Sequence, residues 1–146
     1  MDFEIRKMHF EDKQEILTMM KEFYSTDAVS TNGSAEIFET DFENCISNSP
    51  YLEGFVFCQN KNILGYAMIA KTFSTEFGKI CIWLEDLYVK KEYRGQGIIS
   101  KFFEYTEKRY KNNIFKLEVE NENTHAIQVY KKRGFNMLPY VEMIKL

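Results

Sequence analysis

Residues 79–101, KICIWLEDLYVKKEYRGQGIISK, constrain the fold more than any other part of the chain. Residues 79–89 are long, apolar and aromatic, which predicts a buried strand. The turn Arg94-Gly95-Gln96-Gly97 follows. Residues 98–110 then show a helical stripe of Ile98, Ile99, Phe102, Phe103, Thr106 and Tyr110. A strand running through glycines into a helix leaves the helix's first amides unpaired, at the positive end of its macrodipole. Glycines let the backbone approach a ligand closely, so this geometry suits a pyrophosphate without needing a lysine.

The flanking sequence supplies layers for that strand. Phe3 and Ile5 alternate with charges and predict a first strand. Ile16, Leu17, Met20, Phe23 and Tyr24 recur at spacings of three and four, which predicts an amphipathic helix over 10–24. Residues 25–34 read as a loop, and Ser34 opens a second helix that ends near Asn48-Ser49-Pro50. Residues 51–59 and 63–72 read as strands joined at Asn60-Lys61-Asn62, making a meander with 79–89. Residues 114–119 predict a further strand. Asn123 or Thr124 caps a last helix through Arg133, with Gly134 at its C′ position. Residues 135–146 read as one or two final strands broken by Pro139. The order β-α-α-β-β-β-α-β-α-β predicts an α/β (α+β) arrangement on a mixed sheet, in one domain over residues 1–146.

Two familiar glycine motifs fail on this turn. A Walker loop needs Gly-Lys-Ser/Thr, and Ile98 follows Gly97; a dinucleotide fingerprint needs a glycine at position 100, which is Ser100. The turn instead resembles the signature of the GNAT superfamily of acyl-CoA-dependent N-acetyltransferases, Arg/Gln-x-x-Gly-x-Gly/Ala after a long strand. Here it reads Arg94-Gly95-Gln96-Gly97-Ile98-Ile99, with Ile99 where that family prefers a small residue. A second resemblance lies downstream: Asn123-Thr124-His125-Ala126, then Tyr130, then Gly134-Phe135. Trp83-Leu84-Glu85-Asp86-Leu87 followed by Tyr93-Arg94-Gly95 looks like the same stretch of diamine (spermidine/spermine) N-acetyltransferases.

The resemblance implies a mostly antiparallel mixed sheet of six to seven strands flanked by four helices, with acetyl-CoA as co-substrate. It implies that the backbone at Gln96, Gly97 and Ile98, beside Gly95, holds the pyrophosphate, assisted by Arg94 and Ser100. Leu87 and Val89 would bond the pantetheine arm through their main chain, as would Asn123 through its side chain, and Tyr130 would stand near the thioester sulfur. It further implies direct attack of an amine on the thioester, and a homodimer.

Such an attack poses two proton problems. An alkylammonium has a pKa near 10.4, so deprotonating it at pH 7 costs about 4.6 kcal/mol. Glu85 is the expected base, directly or through water, with Asp86 second. Simple alternation puts Glu85 with Leu87 and Val89 and puts Asp86 with Tyr88, unless a bulge shifts the count. A thiol pKa of ~8.5 against a phenol at ~10 makes full proton transfer from Tyr130 uphill by about 2 kcal/mol, so Tyr130 serves as a hydrogen-bond donor.

Composition narrows the partners. A net charge of −3 and pI near 5.5 argue against nucleic acid and suit a cationic acceptor. Asp27, Glu36, Glu39 and Asp41 offer a candidate acidic rim, although solvated charge is the ordinary reading. No apolar run approaches the length of about 18 residues that crosses a membrane, and residues 1–7 lack a signal-peptide core. Cys45, Cys58 and Cys81 lack CxxC spacing and read as reduced thiols of a cytoplasmic protein; His9 and His125 have no metal-ligand spacing. The expected activity is acetylation of a primary amine on a small molecule, polyamines among the candidates. A peptide or protein acceptor and a non-catalytic acyl-CoA sensor are the alternatives.

Overall fold

The computed structural model describes residues 1–26 and 33–146. Strand β1 (Glu4–Lys7) leads through a 3-10 turn into α1 (Lys13–Tyr24). The helix α2 (Ala35–Ile46) follows, capped by Ser34, whose Oγ accepts from Ile37 N at 3.2 Å. The meander is β2 (Leu52–Gln59), β3 (Asn62–Ser74) and β4 (Lys79–Val89). After a second 3-10 turn come α3 (Ile98–Arg109), β5 (Ile114–Leu117) and α4 (Thr124–Lys132). The expected loop over 25–34, and the rim candidate Asp27, fall largely outside the described residues.

The sheet runs in chain order, β1-β2-β3-β4-β5. Its first three pairings are antiparallel, and β5 joins β4 in parallel. It has five strands, not the six to seven expected. Residues 135–146 form no strand. Pro139 removes one ladder donor, and apolar alternation makes a strand only where an edge is there to pair with. Val141, Met143 and Ile144 are instead almost fully exposed.

Each sheet face has its own core. On one, α1 and α2 pack Ile16, Met20 and Phe42 against Val56, Tyr66, Met68 and Tyr88. On the other, Phe102 and Phe103 of α3 pack against Phe55, Phe57, Ile82 and Leu84, with Tyr130 and Phe135 at the margin. Ile99 also packs on this second core, and α3 starts as a regular helix at Ile98. Two layers of helix sandwich the sheet, with α1 and α2 opposite α3.

Candidate active site

The site begins with a break in register. Ile69 of β3 pairs with Leu84, but the next residue, Met68, pairs with Asp86. Glu85 is the extra residue of a β-bulge. The bulge overturns simple alternation: Leu84, Leu87 and Val89 all belong to the core under α3, while Asp86 and Tyr88 turn toward α1. Glu85 parts from Leu87 and Val89, and its charged neighbours are Asp86, Asp41 and Glu142.

The same point is where the sheet opens. β5 pairs with β4 only from Cys81 to Leu84. Beyond Leu84 that edge of β4 has no strand beside it among the described residues, and a cleft of about 1360 Å³ opens there, lined in part by Trp83, Glu85, Asp86, Leu87, Asn123 and Tyr130. Lys90 N donates to Leu64 O of β3 at 2.9 Å. Alternation then turns the main chain of Leu87 and Val89 toward the open edge. There the Val89 carbonyl accepts from Arg94 Nε at 2.8 Å.

The glycine turn lies further along, outside that cleft. Gly95 and Gly97 take φ of +75° and +80°, and a Cβ at either meets nothing within 4 Å. Backbone conformation, not space, therefore demands glycine. Gly97 is the N-cap of α3 and supplies no capping side chain, and the first turn of α3 carries no acid. Its leading amides are thus left for an anion. The Gln96 side chain turns away, donating to Glu92 O at 3.2 Å. Ile98 is buried in the core and Ser100 half-buried. Asn123 caps α4, its Oδ1 accepting from Ala126 N at 3.2 Å. Tyr130 packs edge-on against Phe103 and Phe135, and burial raises its pKa.

Electrostatics single out the acids at the bulge. Asp86 is 5% exposed, and accepts from Tyr24 Oη at 3.0 Å and Tyr66 Oη at 2.8 Å. Burial raises its pKa despite both bonds. Partial burial raises Glu85 as well, helped by the charges of Asp86, Asp41 and Glu142. Asp41 rises through burial and the charge of Asp86. Glu118, just past β5, rises through burial and through Glu142. A carboxylate raised in this way is a better base and a better host for a cation.

Sequence reading missed Tyr24, Tyr66, Glu118 and Glu142. The two tyrosines reach Asp86 across 62 and 20 residues of chain, and no local pattern signals such contacts. No group of His, Cys, Asp and Glu among the described residues has metal-binding geometry.

The β4 edge beyond β5 and the uncapped glycine turn form a candidate site whose geometry can take a long, anion-bearing ligand. The chain belongs to the acetyltransferase (GNAT) family, which matches residues 14–135. It is 37% identical over 87 residues to the thialysine N-epsilon-acetyltransferase of Sus scrofa, and 36% identical over 87 residues to that of Bos taurus. Each match covers 58% of this chain and 51% of the relative, so the chain spans about half the length of the curated relatives it matches. Among solved structures, a possible acetyltransferase from Clostridium difficile 630 superposes with a TM-score of 0.83 at 20% identity, covering 99% of this chain and 97% of that one. A predicted acetyltransferase with acetyl-CoA from Clostridium acetobutylicum gives 0.77 at 20% identity, covering 98% and 96%. AAC(6')-Iy in complex with a CoA-linked bisubstrate analog gives 0.80 at 15% identity, covering 100% and 99%. These likenesses are likenesses of fold.

Proposed function

We propose that the chain, acting as one domain, transfers an acetyl group from acetyl-CoA to a primary amine of a small cationic molecule. The observation that carries this reading is the bulge at Glu85, which presents a carboxylate of raised pKa where β4 and β5 part. The residues present fit the co-substrate: uncapped α3 amides for its pyrophosphate, and a β4 edge with no strand beside it among the described residues for its pantetheine arm, although the Val89 carbonyl there already accepts from Arg94. When bound, acetyl-CoA supplies an activated acyl group and a thiolate leaving group.

The chain's own residues do the rest. Gly97 and the first turn of α3 hold the phosphates through the backbone, with Arg94 beside them and Ser100 on the same turn. Leu87 and Val89 orient the arm by main-chain hydrogen bonds, and Asn123 adds its side-chain amide. Glu85 takes the proton of the incoming ammonium, directly or through water. Asp86 is the second candidate base, but both its oxygens are already engaged by tyrosines. It serves better as a fixed negative charge that keeps Glu85 basic. Tyr130 donates a hydrogen bond to the departing sulfur; its raised pKa makes full proton transfer less favourable still.

The acceptor is read from charge. Glu85, Asp86, Glu118 and Glu142 line the cleft and Asp41 adds its charge to Glu85 and Asp86; a bound ammonium would relieve their mutual repulsion. Thialysine, named by the relatives, and the polyamines spermidine and spermine all fit this description. The buried, unpaired Cys45, Cys58 and Cys81 support a reducing, cytoplasmic setting. The reading includes a homodimer, because Met137, Val141, Met143 and Ile144 expose apolar surface that a second copy would cover; light scattering checks it.

The test is free-thiol release from acetyl-CoA with thialysine, spermidine, spermine, lysine, an aminoglycoside and short peptides. Turnover with the small cationic amines alone is the expected result. Peptide-only turnover moves the acceptor to proteins. Acetyl-CoA binding without turnover on any amine supports a sensor instead.

A further inference from the structure

Beyond the bulge, β4 is tied to α1 at three successive positions of one face. Asp86 accepts from Tyr24, Tyr88 Oη donates to Glu22 Oε2 at 2.6 Å, and Lys90 pairs with Glu15. Asp86 and Tyr88 alternate along β4 and Lys90 continues the alternation one residue past its end; they meet α1 in reverse order, so the helix runs antiparallel over the strand.

The middle tie also reaches the glycine turn. Tyr88 is buried, and its ring packs against Phe23 and Tyr66 at centroid distances of 5.7 and 6.0 Å. The Arg94 guanidinium lies 5.7 Å from the same ring. One side chain therefore touches the arginine of the glycine turn, the last turn of α1, and Tyr66, one of the two tyrosines that donate to Asp86. Its hydroxyl is no proton source: burial and then the hydrogen bond to Glu22 push its pKa up to about 12. A group that stays protonated across the working range holds geometry.

Resting on the acetyl-CoA reading above, we propose that Tyr88 is a positioning residue that couples the phosphate-binding turn to the acceptor side of the cleft. An anion at the turn fixes Arg94, which fixes the ring beneath it. The ring fixes Glu22, and with it the end of α1 that carries Tyr24 to Asp86. Coupling of this kind is reciprocal, so acceptor binding also tightens CoA.

The test compares wild type with Tyr88→Phe, Glu22→Ala and Glu22→Gln. CoA affinity is read by calorimetry, acceptor KM and kcat by thiol release, and backbone amide exchange at the last turn of α1 with and without CoA. Tyr88→Phe keeps the ring under Arg94 and deletes only the hydroxyl. It is expected to leave CoA affinity within about twofold, to raise acceptor KM about fivefold or more with a smaller change in kcat, and to abolish the slowing of α1 exchange by CoA. Glu22→Ala reproduces this, and Glu22→Gln, whose amide oxygen still accepts, restores wild-type KM. A Tyr88→Phe protein that loses thermal stability while KM and exchange stay at wild type overturns the proposal, as does a wild-type Glu22→Ala. Wild-type protein that binds no CoA overturns both this proposal and the acetyltransferase reading. If CoA slows α1 exchange in wild type and not in Tyr88→Phe, but no amine is acetylated, the coupling stands and the acceptor reading falls.

Discussion

Glu53 and Asp86 are both carboxylates largely withdrawn from water and bonded to tyrosine hydroxyls, yet their surroundings are opposite. Glu53 accepts from Tyr110 at 2.8 Å and Arg109 at 3.2 Å, pairs with Lys71, and has Lys7 at 3.7 Å. Burial pushes its pKa up, but the bonds from Lys71 and Tyr110 and the charges of Lys71 and Lys7 outweigh that and hold it at about 2. Asp86 has tyrosines but no cation among its described hydrogen-bond partners, and its acidic neighbours Glu85 and Asp41 rise with it. The first carboxylate is complete and helps hold the C-terminal end of α3 to β2. The second is left in need of positive charge from outside. A buried acid left without a cation is where a positively charged ligand would gain most, which is the place the proposed acceptor takes.

The contrast breaks most sharply at Glu85. Glu85→Gln removes the proposed base and is expected to lower kcat by about 10² to 10³-fold at pH 7, with acetyl-CoA affinity unchanged, as read by thiol release and calorimetry. Glu53→Gln is expected to do the reverse, leaving KM alone and costing about 2 kcal/mol of stability once solvent screening is allowed for. The sign follows from its depressed pKa. Its stabilisation is present above the ordinary carboxylate value of 4.5 and is lost as pH falls toward about 2. Urea unfolding at pH 7 therefore separates variant from wild type, and at pH 2 the two converge. Asp86, Asp41 and Glu85 act oppositely. Their folded pKa values lie above the unfolded ones, so they destabilise the fold once ionised, and falling pH relieves that cost.

Smaller effects sharpen the same picture. Gly97→Ala forces a Cβ onto a φ of +80° and is expected to cost about 1 kcal/mol of stability and to weaken acetyl-CoA binding, both checked by calorimetry. Asp41→Asn removes one charge that lifts Glu85, so the acidic limb of the kcat profile moves down by a fraction of a pH unit while acceptor KM rises.

Local chemistry made much of this legible from residues alone. Ser34 and Asn123 cap the helices they were expected to open, and Gly134 takes φ of +91° after α4. The strand-glycine-helix unit from β4 to α3 was readable because each part has its own residue pattern. The bulge at Glu85 was open to the sequence only as an alternative to simple alternation, because a slip between β3 and β4 belongs to a pair of strands and is not fixed by either alone. The three ties from β4 to α1 were hidden for the same reason, since they span 62, 66 and 75 residues. Residues 135–146 misled in the other direction. Their apolar character is real, but a strand also needs a free edge and unbroken amides, and Pro139 interrupts the run.

The short seam between β4 and β5 also sets how this molecule yields under load. Four paired positions, Cys81 to Leu84 against Ile114 to Leu117, hold β5 to the sheet, whereas the β3–β4 seam runs nearly the full length of both strands. Tension applied at the C-terminus falls on the shorter seam first. Release of β5 is then expected before the longer antiparallel seam gives way, once Tyr130 and Phe135 have left Phe103. The opening proposed for the acetyl-CoA arm thus begins where this seam ends.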